Sequence, residues 1–222
     1  MKLSVVVATY NREKLLKQTL DSLKKNSDNE IEIIVVDDAS TEPETIEYLD
    51  SLKDIKLFRF SENVGVARVK NKGIEMASLT EYIHICDNDI YYLPHWDTGL
   101  IEILEKHKDV GLVGGKRHPH LVVWEVRDNG KTLIMENQPG YSFFMERKFL
   151  DEVGWFETEN PNSIGHADSI MCERVKAKNK KIATVDPPVI YHCGAKNFKG
   201  LFASDYPEMQ IISQLHSEIK FL

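Results

Sequence analysis

Four short, almost unbroken apolar runs constrain this chain most: residues 3–8 (LSVVVA), 31–36 (IEIIVV), 55–60 (IKLFRF) and 81–86 (EYIHIC). A strand with one face in water alternates apolar and polar residues, whereas a strand apolar at nearly every position is covered on both faces. The intervening segments carry helical patterns. Residues 12–25 place Leu16, Leu20 and Leu23 on one stripe, with Asn11 as the expected N-cap. Thr41-Glu42-Pro43-Glu44 reads as a capping box with proline in the first turn, opening a helix to about residue 52. Residues 65–78 and 94–107 supply two more helices. Strands and helices alternating at this spacing predict βαβ crossovers and a mostly parallel sheet.

After the apolar run at 110–113 the alternation stops. Residues 121–126 and 131–135 flank Asp128-Asn129-Gly130, a hairpin signal. A strand at 141–145, a short helix at 147–153 and a second helix at 167–178 follow. Short strands are expected at 182–185 and 189–191, around Pro187-Pro188. Beyond residue 206, Met209, Ile212, Leu215, Ile219 and Leu222 recur at helical spacing. With no repeat, low-complexity tract or linker, the 222 residues read as one α/β domain, its second half built onto a parallel sheet.

Composition excludes several classes. A formal charge of −7 argues against a nucleic-acid binder, which needs a basic face for phosphates. No apolar run is long enough for a membrane span, and MKLSVVVATYNRE has too short an apolar stretch for a signal peptide. Cys86, Cys172 and Cys193 are too few and too scattered for a disulfide framework or a Cys-rich zinc site. The cytoplasm is the expected address.

Parallel α/β sheets bind ligands beyond the carboxyl ends of their strands. The loops there carry no GxGxxG, no GxxxxGK[ST] and no GxSxG, which argues against a dinucleotide dehydrogenase, a P-loop NTPase and an α/β hydrolase. They are acidic instead. The second run ends in Asp37-Asp38 and the fourth in Asp87-Asn88-Asp89. Two carboxylates and an amide on one turn suit a hard divalent cation such as Mg²⁺ or Mn²⁺, which takes carboxylates together with substrate phosphates. The same residue types also favour an ordinary turn. For Asp37-Asp38 the alternatives are a turn before the next helix and recognition of a base. An ionised carboxylate only accepts hydrogen bonds, so it selects a base with a ring N–H, as in uracil, thymine or guanine.

Four segments occur in order: Val5-Val6-Val7-Ala8-Thr9-Tyr10-Asn11-Arg12; Val35-Val36-Asp37-Asp38-Ala39-Ser40; Asn63-Val64-Gly65-Val66-Ala67-Arg68 with Asn71-Lys72-Gly73; and Asp87-Asn88-Asp89. The series resembles the family 2 glycosyltransferases of GT-A fold. The likeness continues through residues 140–156 and Gly165-His166-Ala167-Asp168 with Arg174, and ends at His192. It implies a Rossmann-like, mostly parallel sheet flanked by helices with a smaller antiparallel portion. Residues 1–115 would bind a nucleotide-sugar, and 116–222 would face the acceptor and end in a helix.

The resemblance further implies that Ala8, Tyr10 and Arg12 line the nucleoside pocket, Asp38 contacts uracil, and Arg68 lies near the base or diphosphate. Asp87 would sit towards the ribose with Asn88 beside it, Asp89 would bind the metal, and His192 would approach metal and diphosphate. Asp168 is the expected catalytic base, with His166 as a second candidate on intrinsic pKa. Ala167 stands where the family has Glu, and Ile170 where a later Asp is common. Trp155 and Tyr141 are candidates to stack on a sugar, with core packing as the alternative. His118 and His120 read as a solvated loop rather than metal ligands. Lys196 and Lys199, near Gly194 and Gly200, mark either a lid or an ordinary loop. The implied activity is inverting transfer of one sugar from a nucleoside diphosphate donor, UDP-linked by expectation, to a glycan, lipid-linked or protein acceptor, assisted by Mn²⁺ or Mg²⁺. Absence of QxxRW argues against processive synthesis. The last helix could pack on the core, pair in a homodimer or dock peripherally at the inner membrane face. A sugar-phosphate nucleotidyltransferase and a non-catalytic nucleotide-sugar binding module are the competing readings. The first normally opens with a glycine-rich loop where this chain has Ala8-Thr9-Tyr10-Asn11.

Overall fold

A computed structural model describes residues 2–115, 122–136, 140–158 and 166–193, without the side chain of His166. His118, His120, Gly194, Lys196, Lys199, Gly200 and the 206–222 segment lie outside the described residues. Strands β1 (Leu3–Thr9), β2 (Ile31–Asp37), β3 (Lys56–Arg59) and β4 (Tyr82–Asp87) form where the apolar runs predict. Between them lie α1 (Glu13–Asn26), α2 (Pro43–Ser51) and α3 (Val66–Met76). The chain continues through β5 (Ile90–Tyr92), α4 (Trp96–Lys106), β6 (Val110–Gly114), β7 (Val123–Arg127), β8 (Thr132–Met135), β9 (Ser142–Glu146), α5 (Arg147–Val153), α6 (His166–Ala177), β10 (Lys181–Val185) and β11 (Ile190–His192).

Among the described residues nine strands make one mixed sheet in the order β3-β2-β1-β4-β9-β6-β10-β8-β7, of which β9 and β8 run against the rest. Both faces of β1, β2 and β4 are covered, which explains their unbroken apolar runs, whereas β3, at the edge of the sheet, is only partly covered despite its apolar run. Val5 and Val7 of β1 pack with Leu16, Leu20 and Leu23 of α1 and Trp96 and Leu100 of α4. Val6 and Ala8 pack on the other face with Val69 and Ile74 of α3 and Leu150 of α5. Helix α3 sits close to β1 because Gly73 has no side chain; a Cβ there would lie 2.1 Å from Val6 Cγ1.

Two features of the topology place the site. Chain direction across the sheet reverses between β1 and β4, leaving a crevice beyond their carboxyl ends. Beside it, β11 pairs antiparallel with β5 in a separate two-stranded sheet, His192 opposite Ile90. Strand β5 is three residues long and too short to read from periodicity.

The helix starts differ from the expected caps. Asn11 and Arg12 both adopt left-handed backbone, and Arg12, not Asn11, is the N-cap of α1. This turn aims the Asn11 side chain across to the next loop, where its Oδ1 accepts from the N–H groups of Thr41 (2.8 Å) and Glu42 (3.1 Å). Glu42, not Thr41, is the N-cap of α2, and its Oε2 accepts from Thr45 Oγ1 (3.0 Å) and from the Arg12 N–H (2.8 Å). The two loops clasp each other and fix Tyr10-Asn11-Arg12 at the crevice.

Candidate active site

A cleft of about 210 Å³ opens at the carboxyl ends of β1 and β4, lined by Ala8, Tyr10, Arg12, Asp38, Val66 and Asp87-Asn88-Asp89 among others. Asp37 and Asp38 divide their labour. Asp37 is fully buried and accepts from the Ser40 N–H and hydroxyl, so it is the turn-making residue of the pair. Asp38 faces the cleft and accepts from the N–H groups of Val64 (2.7 Å) and Gly65 (3.1 Å). Gly65, at φ 88°, is the N-cap of α3, a conformation that favours glycine. Burial raises the Asp38 carboxyl above its ordinary value, against the pull of those two N–H groups.

The Asp87-Asn88-Asp89 turn is tied down from two sides. Asn88 Nδ2 donates to Thr9 Oγ1 (2.8 Å) and to the Asn11 carbonyl (3.1 Å). Thr19 of α1 donates to the Asn88 carbonyl and accepts from the Ile90 N–H, both at 2.9 Å. Asn88 thus staples the turn, while the carboxylates on either side face the cleft.

Asp87, Asp89 and His192 come together, with one potential ligand atom from each lying within 4.8 Å of the others. His192 Nε2 is 3.1 Å from Asp89 Oδ1, and Arg12 Nη1 is 3.0 Å from Asp89 Oδ2. Burial acts to raise Asp89, but the hydrogen bond and charge of His192 together with Arg12 hold it below the ordinary carboxylate range. Among the described residues, His192 Nδ1 is buried without a hydrogen-bond partner. Two carboxylates and an imidazole whose Nε2 faces them fit a divalent cation of the Mn²⁺ or Mg²⁺ kind. Cys193 N–H donates to the Asp89 carbonyl at 2.7 Å, so β11 is locked to the acidic turn.

The remaining expected residues fall in three places. Asp168 stands in the first turn of α6 and is linked to Asp87 through Lys70, whose Nζ lies 3.4 Å and 3.3 Å from their respective Oδ1 atoms. Tyr141 is buried and its ring packs on His192, centroids 4.7 Å apart, so it supports that imidazole rather than presenting a face to solvent. Asp168 and His192 stand behind the cleft lining, reached through Lys70 and Asp89, and Arg68 and Trp155 do not line the cleft either. Arg68 lies on the exposed side of α3, and the Trp155 indole N–H bonds Asp151 Oδ1 at 3.2 Å. Arg174 holds the segment ahead of α6, donating to the Trp155 carbonyl (2.7 Å) and to Glu157 (3.1 Å).

Sequence reasoning missed Lys70. Its signal was present, since it falls on the buried stripe of α3 with Val69, Gly73 and Ile74, where a cation demands a partner. Burial would lower its ammonium, but Asp87 and Asp168 outweigh that and raise it above the ordinary lysine value.

Comparison with known proteins gives the family and the fold. Residues 4–166 match the profile described as glycosyl transferase family 2, so the chain belongs to that family. It is 28% identical over 179 residues to YwdF of Bacillus subtilis, an uncharacterised glycosyltransferase, covering 73% of this chain and 64% of that one. It is 33% identical over 120 residues to a chondroitin synthase of Escherichia coli, covering 52% of this chain and 17% of that one. The chain therefore spans less than two thirds of either relative. Its fold is similar to that in a crystal structure of GalNAc-T7 with UDP, GalNAc and Mn²⁺, at a TM-score of 0.71 and 16% identity, covering 86% of this chain and 43% of that one. The architecture is accordingly GT-A-like. Among the described residues no helix is long and apolar enough to cross a membrane.

Proposed function

We propose that the protein transfers one sugar from a UDP-sugar to an acceptor hydroxyl, with inversion at the anomeric carbon. The observation that carries this reading is the convergence of His192 on Asp87 and Asp89, the two aspartates lining a cleft whose other wall is Ala8, Tyr10 and Asp38.

The roles follow from chemistry. Asp38 spends two acceptor sites on Val64 and Gly65 and, with roughly four such sites per carboxylate, keeps capacity for the ring N–H of uracil. Tyr10 is 44% exposed at the cleft and offers a face for the base. Asp87, Asp89 and His192 would hold a divalent cation, which supplies charge stabilisation for the departing diphosphate. Arg12, already on Asp89, brings a further positive charge to the same corner.

Asp168 is the base in this reading. The acceptor O–H proton passes to the Asp168 carboxylate as the acceptor oxygen bonds the anomeric carbon. The bond from that carbon to the diphosphate breaks with its electron pair on the diphosphate oxygen. Such a base is commonly worth 10²–10⁴-fold.

A panel of UDP-sugars with Mn²⁺ and mixed acceptors tests the reading through the product released. UDP without pyrophosphate supports it. Pyrophosphate would indicate nucleotidyl transfer, and saturable UDP binding without turnover on any donor would indicate a binding module.

A further inference from the structure

We propose that Lys70 is a positioning residue, a buried strut that sets the Asp168 carboxylate at a fixed place relative to Asp87. The proposal rests on Asp168 acting as the base.

Lys70 is 1% exposed, and an ammonium is taken out of water only where its surroundings replace its hydration. Among the described residues its polar contacts are Asp87 Oδ1 (3.3 Å), Asp168 Oδ1 (3.4 Å) and the Gly140 carbonyl (3.1 Å). The rings of Phe143 and Phe156 flank the charge, with Nζ 5.2 Å and 5.3 Å from their centroids. The two carboxylates belong to elements distant in sequence, the end of β4 and the first turn of α6, and Lys70 joins them directly.

The platform beneath Lys70 is rigid. Gly73, one turn on, seats α3 against Val6 of β1. Asn71 clamps the segment leading to α6, donating to the Phe156 carbonyl and accepting from its N–H, each at 2.9 Å. Gly140 bounds the other side of the Asp168 carboxylate, since a Cβ there would come within 2.1 Å of Oδ2. Lys70 therefore holds Oδ1, and the missing side chain at Gly140 leaves the room that Oδ2 occupies.

The test is a pair of double-mutant cycles with Lys70→Met, Asp168→Asn and their combination. Turnover is read as UDP release from the best donor of the panel. Lys70→Met should lower kcat about 10²-fold in the native background, the scale of a misplaced reacting group, but no more than about twofold once Asp168 is Asn. Unfolding of the same four proteins in urea should show losses that are non-additive. Lys70→Arg, which keeps the charge with a different reach, should fold like the parent and lose kcat only while Asp168 is present, and this cycle serves if Lys70→Met does not fold. Multiplying rate losses, unchanged kcat in either Lys70 variant, or additive unfolding losses would overturn the proposal. If the native protein releases no UDP from any donor, the function above fails, while the unfolding cycle still decides whether Lys70 and Asp168 are coupled.

Discussion

Arg12 Nη1 rests 3.0 Å from Asp89 Oδ2, so a guanidinium sits on the carboxylate best placed to bind a cation. Two positive charges compete for one acidic group. Arg12→Ala should therefore tighten binding of Mn²⁺ alone, by roughly three- to tenfold for a partly solvated charge at this range. Mn²⁺ titration followed by electron paramagnetic resonance reads this, and weaker binding would show that Arg12 helps rather than competes.

Asp38 holds the loop that leads into α3. Asp38→Ala leaves the Val64 and Gly65 N–H groups without their acceptor and should cost about 1–3 kcal/mol of stability. Asp38→Asn, which keeps one acceptor oxygen, should cost less in urea unfolding. Both should weaken UDP binding in calorimetry, and unaltered UDP affinity in the alanine variant would remove Asp38 from the base pocket.

Gly140→Ala probes the seat of Asp168 without touching its chemistry. The added methyl group would overlap Asp168 Oδ2, a side-chain tip rather than backbone, so the carboxylate has to shift against the hold of Lys70. Turnover should fall about 10²-fold, with UDP affinity kept and the melting temperature little changed. Full turnover would mean that this carboxylate need not be held where it stands.

Glu32 sets a pH limit on stability away from the cleft. Burial acts to raise its carboxyl, but Lys56, Ser4 and both the N–H and hydroxyl of Ser78 pull it down from 4.5 to about 2. A depressed folded-state pKa contributes stability that is fully present above the unfolded value and is lost as pH falls towards the folded one. The contribution is on the order of 2–3 kcal/mol near neutrality and should fade between about pH 5 and pH 2. Urea unfolding of the parent and Glu32→Gln across that range should show their difference shrinking with acid, and a constant difference would contradict it.

The first half of the fold was legible because β1, β2 and β4 are covered on both faces, a condition that writes itself into every residue of the strand. Helix α5 was equally plain, its Phe149-Leu150 and Val153 following a strand without a break. The insertion of β9 between β4 and β6 was not legible, since a strand's neighbours depend on contacts remote in sequence rather than on its own pattern. The same holds for β5, which is recognisable only once β11 is beside it. At the site, the acidic turn announced itself at the end of an apolar run. The proximity of His192 to Asp89 depended on the small second sheet, and Lys70, although marked by its place on the buried stripe of α3, had no visible partners until Asp87 and Asp168 were both in place. Asn11 and Thr41 have the residue type and spacing of caps of their own helices, and sequence does not show the left-handed turn that redirects the Asn11 side chain to another loop.

The central claim is that Asp89, with Asp87 and His192, carries a cation that the nucleoside diphosphate shares. UDP titrations by calorimetry, with and without Mn²⁺, should show Mn²⁺ tightening UDP binding to the parent protein and having no such effect on Asp89→Ala. Equal tightening in both proteins would contradict the account.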